Sequence, residues 1–359
     1  MQRYHNLDFL RAFAMLMGLV IHAPMLFWVP DFAKVFGIDN IAPAEEWVNV
    51  IGRFISSWRM PVFFLLSGFF AILVIERKGT SQFLRDRVIR VGLTCLVFSS
   101  LYDISDGSFD YTMLHLWFLC ELMIFVLFFS LLYRLKIIKD LLCIKMPPKI
   151  GFIVVLWLIS TVPLAYILNN SWHPSALKVP TTYFDLKIGN LFYHFSYFLV
   201  GVILYSNQNI FIKIKKTNAI LVLGVLSVSA FFLRLYSDHL TIGQVENLSE
   251  VAQTQFDPML VFFNSVMIGM NSTFWCLFFI GLASKFTQSD SAVIRWLVEL
   301  SYPIYIIHLI PVTMMSAVFY HAGLSQLTIL PLAVITGFFV CVILYCLLYT
   351  SPSPRDRVQ

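Results

Sequence analysis

Apolar stretches of about twenty residues recur along the chain, separated by short segments where charged and turn-forming residues gather. Runs of this length match the hydrocarbon thickness of a bilayer when wound as helices. Ten spans are predicted, at residues 8–28, 54–75, 88–102, 112–133, 150–168, 189–206, 218–236, 259–284, 293–319 and 327–349. The third is short and begins among arginines. No internal repeat and no long hydrophilic insertion interrupts the pattern. The expected fold is therefore all-α, a polytopic integral membrane protein with residues 1–350 as one membrane domain. Residues 351–359 change composition sharply and read as a short polar tail or as non-native sequence. The first apolar stretch is too long for the core of a signal peptide, and no small-residue cleavage site follows it, so it is expected to stay as a span.

Composition agrees. Of 359 residues, 59% are hydrophobic and 13% charged, about half the charged share of an ordinary soluble domain. The net charge of +5 forms no basic patch interleaved with aromatics, which argues against nucleic acid as a partner. The six cysteines, at 95, 120, 143, 276, 341 and 346, contain no C-x-x-C pair, and five sit in apolar runs. They read as small apolar filler, and neither a disulfide framework nor a metal site is predicted.

Charge between spans sets an orientation. One set of segments holds Arg3; Arg77, Lys78, Arg85, Arg87 and Arg90; Arg134, Lys136, Lys139, Lys145 and Lys149; Lys213, Lys215 and Lys216; Lys285 and Arg295; Arg355 and Arg357, eighteen basic residues in all. The alternate set holds Lys34, Arg53, Lys178, Lys187 and Arg234, five in all, together with the acidic stretch "DISDGSFD". The positive-inside rule makes the first set cytoplasmic and places both termini there, which an even number of spans requires.

A charge inside a span costs a few kcal/mol and needs a partner, a cavity or a task. In "RAFAMLMGLVIH" Arg11 and His22 are eleven residues apart, which returns them to within about 20° of one helix face and separates them by about 16 Å. That spacing suits a lined path better than an ion pair. Arg59 lies near the outer end of the second span, two residues before Pro61, which is expected to bend the helix and free a carbonyl. Ser67 and Gly68 are small enough to admit a neighbouring helix. His115 and Glu121 are six apart and face different ways. Ser301, Tyr305 and His308 share a face. Each has a plain reading as well: Arg87 and Arg90 as interfacial anchors, Glu299 as partner of Arg295, and His194 as a packing residue. The plain reading is weakest for Arg11 with His22.

These segments resemble the membrane acyltransferase-3 family. "LDFLRAFAMLMGLVIH", "SSWRMPVFFLLSGFF", "RDRVIRVG", "HLWFL" and "LSYPIYIIH" appear in the family's order. Arg11 and His22 match its arginine and histidine with ten residues between them, Arg87 and Arg90 its R-x-x-R motif, and Phe64, Ser67, Gly68 and Phe69 its F-x-x-S-G-F/Y stretch. Within the family the likeness is strongest to the glucan-biosynthesis branch, which implies succinyl transfer to periplasmic glucans, whereas other relatives acetylate envelope glycans. The resemblance implies a multi-pass protein of a bacterial inner membrane. Its substrates would be acyl-CoA, as succinyl-CoA or acetyl-CoA, and an envelope glycan, with membrane lipid as the surrounding partner. His22 and Arg11 are then expected to be catalytic, and Arg87, Arg90 and Arg11 to bind the anionic donor, since guanidinium matches phosphate. Arg59, His115, Tyr305 and His308 are expected to serve the acceptor or to support the site. A carrier of glycan or lipid-linked sugar is the rival reading, since it too would line a path with buried Arg and His; a purely structural subunit explains the buried charges least well.

Overall fold

The computed structural model describes residues 4–106, 113–137, 148–169, 180, 182–246, 257–286 and 291–349. In chain order its helices are α1 (His5–His22), α2 (Met25–Trp28), α3 (Pro30–Lys34), α4 (Glu46–Lys78), α5 (Thr80–Arg87), a π-helical turn (Val88–Leu93), α6 (Thr94–Asp106) and a 3₁₀ turn (Leu114–Leu116). There follow α7 (Trp117–Arg134), α8 (Pro148–Asn169), α9 (Ile188–Ser206), α10 (Asn209–Ile214), α11 (Thr217–Glu246), α12 (Pro258–Phe286), α13 (Ala292–Ile307), α14 (Leu309–His321) and α15 (Gln326–Tyr349). Among the described residues no β-strand forms, as expected where only helices satisfy the backbone within lipid.

Each of the ten expected spans coincides with helix, but they do not all run straight or long. Seven helices are long and apolar enough to cross a membrane, and the pair α13 and α14, bent by 72° at His308, makes an eighth when counted as one span. The two that fall short are α1 and the segment after Arg87. Asp8 and Arg11 dilute the 18 residues of α1. The third span divides into the π-helical turn and α6, which has 13 residues. The break at His308 also departs from the expected single span, and its cause is local. Pro311 has no N–H to give the carbonyl one turn earlier, so the ladder stops while Val312 bonds back to His308. By contrast, α4 continues through Pro61 over all 33 of its residues.

The chain divides into two compact units, residues 1–56 with 289–359, and residues 57–288. In the first unit α1 packs on α13, α14 and α15 around Leu19, Ala23, Leu300, Ile304, Val312, Ala333 and Cys341. Polar ties close it: Ser316 donates to the Ala23 carbonyl at 2.8 Å, and Gln326 donates to the Pro43 carbonyl at 2.9 Å. In the exposed helix α3, the Lys34 ammonium bonds Asp31 at 2.8 Å and holds its carboxyl below the usual range. That folded-state advantage holds above the ordinary carboxylate range and fades as pH falls.

In the second unit α11 and α12 form an antiparallel pair, α8 packs on α9 and α12, and α4 meets α9 at glycines. A Cβ on Gly68 would lie 1.9 Å from the Phe198 carbonyl oxygen, and one on Gly201 would lie 1.8 Å from that of Leu65. The small residues expected at Ser67 and Gly68 do admit a helix. Tyr183, in the segment before α9, bonds Ser99 at 2.7 Å, and burial pushes its phenol above the ordinary range.

Arg234 corrects the charge reading. It lies inside α11, fully buried, with its Nε 3.6 Å from Asp238, four residues on. Asn264 on α12 donates to the same carboxylate at 2.7 Å and to Ser237 at 2.9 Å. A charge counted with the outer set, though it falls at the end of the predicted span 218–236, is therefore part of a polar seam that joins two helices. Residues 3, 139, 145, 178, 355 and 357 of the charge pattern, and the tail 351–359, lie outside the described residues.

Candidate functional site

In the first unit, α1 ends at His22 because Pro24 follows, and α13 ends at His308 through the break described above. These two helix ends bring the imidazoles together: the ring centroids of His22 and His308 are 5.2 Å apart, tilted by 50°. Tyr305, one turn before His308, packs its ring 5.1 Å from the same imidazole. His308 is fully buried, and its Nδ1 lies 2.6 Å from the Tyr305 carbonyl oxygen. A carbonyl can only accept, so Nδ1 carries the proton and Nε2 holds the lone pair of the neutral ring. His22 thus meets the pair of Tyr305 and His308, two residues expected to share a face, across 286 positions of the chain.

Arg11 sits at the other end of α1. Its guanidinium is 3.0 Å from Asp8, one turn earlier, and the two side chains are 29% and 15% exposed. The ion pair the sequence reading did not assign is therefore local, and the partly exposed guanidinium stays at the helix end opposite His22.

The other expected residues belong to the second unit. Arg87 closes α5 with its guanidinium 5.5 Å from the Phe83 ring, and Arg90 lies exposed in the π-helical turn. Three residues apart, they occupy neighbouring turns of helical backbone. Arg59 in α4 and His115 in the 3₁₀ turn are buried. The Phe63–Phe118 rings are 4.9 Å apart, and Tyr133 further along α7 lies within electrostatic reach of Glu76 further along α4, so the two helices run parallel. Arg59 is one turn before Phe63 and His115 one turn before Phe118. Helix geometry therefore carries both at one level of the α4–α7 packing.

Beside them lies a pair that sequence reasoning missed. Glu121 on α7, with no accessible surface, places Oε2 2.6 Å from Nδ1 of His194 on α9. The imidazole stacks on Phe64 at 4.7 Å and packs against Tyr193 at 4.9 Å and Trp117 at 5.6 Å. The available signal was the coincidence of one acid and one histidine, each in an apolar span with no charged neighbour. Such a pair declares itself only when the two spans are known to touch.

The sequence profile of the acyltransferase domain family matches residues 4–349. Glucans biosynthesis protein C of Escherichia coli strain K12 is 33% identical over 95 residues, which is 26% of this chain and 23% of the relative. The same protein from E. coli O1:K1 / APEC is 32% identical over 95 residues, with the same coverage. The matched stretch thus spans about a quarter of these relatives' own length. No solved structure matches. With the family profile covering nearly every described helix, the chain belongs to the acyltransferase-3 family of membrane acyltransferases.

Proposed function

We propose that the protein transfers an acyl group from a cytoplasmic acyl-CoA to a hydroxyl of an extracytoplasmic glycan at a bacterial inner membrane. The observation that carries the reading is the approach of His22 to His308, with the second ring fixed in one tautomer. His22 takes the proton of the acceptor hydroxyl, its oxygen attacks the thioester carbonyl, the C–S bond breaks, and the thiolate leaves with a proton. An imidazole suits this proton transfer because its ordinary pKa lies near working pH. His308 and Tyr305 position His22.

Arg87 and Arg90 bind the phosphates of the donor, with Arg11 as a further cation on its own unit. Arg59 and His115 serve the acceptor, and Arg59 offers charge to a developing oxyanion or to a succinyl carboxylate. The name of the similar E. coli proteins, glucans biosynthesis protein C, supports a glucan as acceptor, and the branch resemblance favours succinyl over acetyl. The test is His22→Gln and Arg11→Lys in purified protein with labelled succinyl-CoA and glucan. His22→Gln is expected to slow transfer by about 10²-fold or more, and full activity in that variant would remove His22 from the chemistry.

The bent pair α13–α14 favours one second reading, a glycan carrier, because discontinuous helices line transport sites. Glycan flux across proteoliposomes without acyl-CoA consumption would select it.

A further inference from the structure

Glu121 and His194 have no part in the chemistry above, yet they form a buried acid–histidine contact of 2.6 Å. A buried carboxylate is expensive unless its oxygens are bonded. Glu121 keeps Oε2 on His194, while Oε1 has no protein partner among the described residues. With the carboxylate ionised, Nδ1 of His194 is the donor in that bond. The Nε2 lone pair is then free to accept a hydrogen bond, and the imidazole retains 8% accessibility while Glu121 has none. The carboxylate therefore acts through the ring and cannot itself meet a ligand.

The walls are informative. Phe64, Trp117 and Tyr193 surround the imidazole with ring faces and edges. Phe64 is fully buried and Trp117 and Tyr193 nearly so, so the rings hold the imidazole in place and leave Nε2 as the polar atom that a ligand hydroxyl would meet. Phe64 is five residues beyond Arg59 on α4, and Trp117 opens α7 two residues beyond His115 in the 3₁₀ turn, so this nitrogen joins the acceptor side of the second unit. A packing role alone would need neither the carboxylate nor a fixed tautomer.

We propose that His194 is an acceptor-binding residue that takes a sugar hydroxyl on Nε2, with Glu121 as the positioning residue that fixes its tautomer. The inference rests on the hydroxyl-acylation reading for its role in turnover, but not for binding itself.

The test uses the full-length protein in nanodiscs with a β-linked glucose pentasaccharide as probe. Saturable binding is expected for the wild type, and His194→Gln and Glu121→Gln are each expected to weaken it about tenfold or more. Glu121→Gln keeps the side chain's size and an acceptor oxygen while removing its charge, so a melting temperature near wild type separates lost charge from lost packing. Glu121→Asp is expected to restore part of the affinity. In turnover the KM for sugar is expected to rise and the KM for succinyl-CoA to stay. Wild-type affinity in both Gln variants, or no saturable binding by the wild type, overturns the proposal. The two readings fail separately. Sugar binding that depends on the pair, without acyl-CoA consumption, sinks the transferase reading and keeps this one. Acyl transfer with an unchanged sugar KM in both variants does the reverse.

Discussion

His308 spends its Nδ1 proton on a backbone carbonyl of its own chain, one turn back. That bond survives any rotation that keeps the helix end, so the ring is aimed by backbone geometry and needs no further side chain to orient it. Replacing it by glutamine keeps polarity but loses both the ring contact to His22 and the fixed lone pair. His308→Gln is expected to lower transfer by roughly 10- to 100-fold, the scale of a misplaced catalytic partner, with the melting temperature little changed; kcat and melting curves check this together. The residues of this cluster were legible in sequence because histidines stand out in apolar spans. Their meeting was not, since nothing in either segment encodes which helix ends adjoin. His194 shows the opposite failure. Judged alone it is an ordinary packing histidine, and only Glu121 gives it an orientation.

At the scale of elements, hydropathy located the helices because lipid leaves the backbone no alternative. It did not distinguish a straight span from a broken one. Pro61 and Pro311 look alike in sequence, yet α4 absorbs the first and the α13–α14 pair breaks at the second. The structure shows which neighbours surround each, and the chain alone does not. Arg234 was misplaced for a related reason: it was counted with the outer charges although it falls within the predicted span 218–236, and its helix runs on to Glu246. Glycines were better guides. Even one methyl on Gly68 would meet the Phe198 carbonyl oxygen at 1.9 Å, a backbone atom that cannot swing aside. Gly68→Ala is therefore expected to destabilise the protein by about 1–3 kcal/mol, as overpacking does. Gly151→Ala, where an added methyl meets nothing within 4 Å, is expected to be neutral or slightly stabilising through helix propensity. Thermal unfolding of both variants in one detergent compares them.

For the whole molecule, the expected orientation rests on basic residues that flank the helices, and it survives the loss of Arg234 from the outer set. Lys34 is expected outside and Lys213 inside. In a cysteine-free background, a membrane-impermeant maleimide added to intact cells is expected to label Lys34→Cys and to spare Lys213→Cys until the membrane is opened. The reverse pattern would invert the topology and with it the sidedness of donor and acceptor. Helix α4 adds a constraint of another kind. Its 33 residues extend about 50 Å, whereas the hydrocarbon layer is about 30 Å thick. The surplus must tilt or project, and Arg59 sits 19 residues before the basic end at Lys78, about 28 Å along the axis. In the expected orientation this residue therefore lies level with the outer edge of the hydrocarbon. Arg59 is buried in the protein, so a bilayer a few ångströms thicker or thinner would shift the lipid boundary past its level on the helix, and hydrophobic mismatch makes lipid chain length a setting for the helix that carries it.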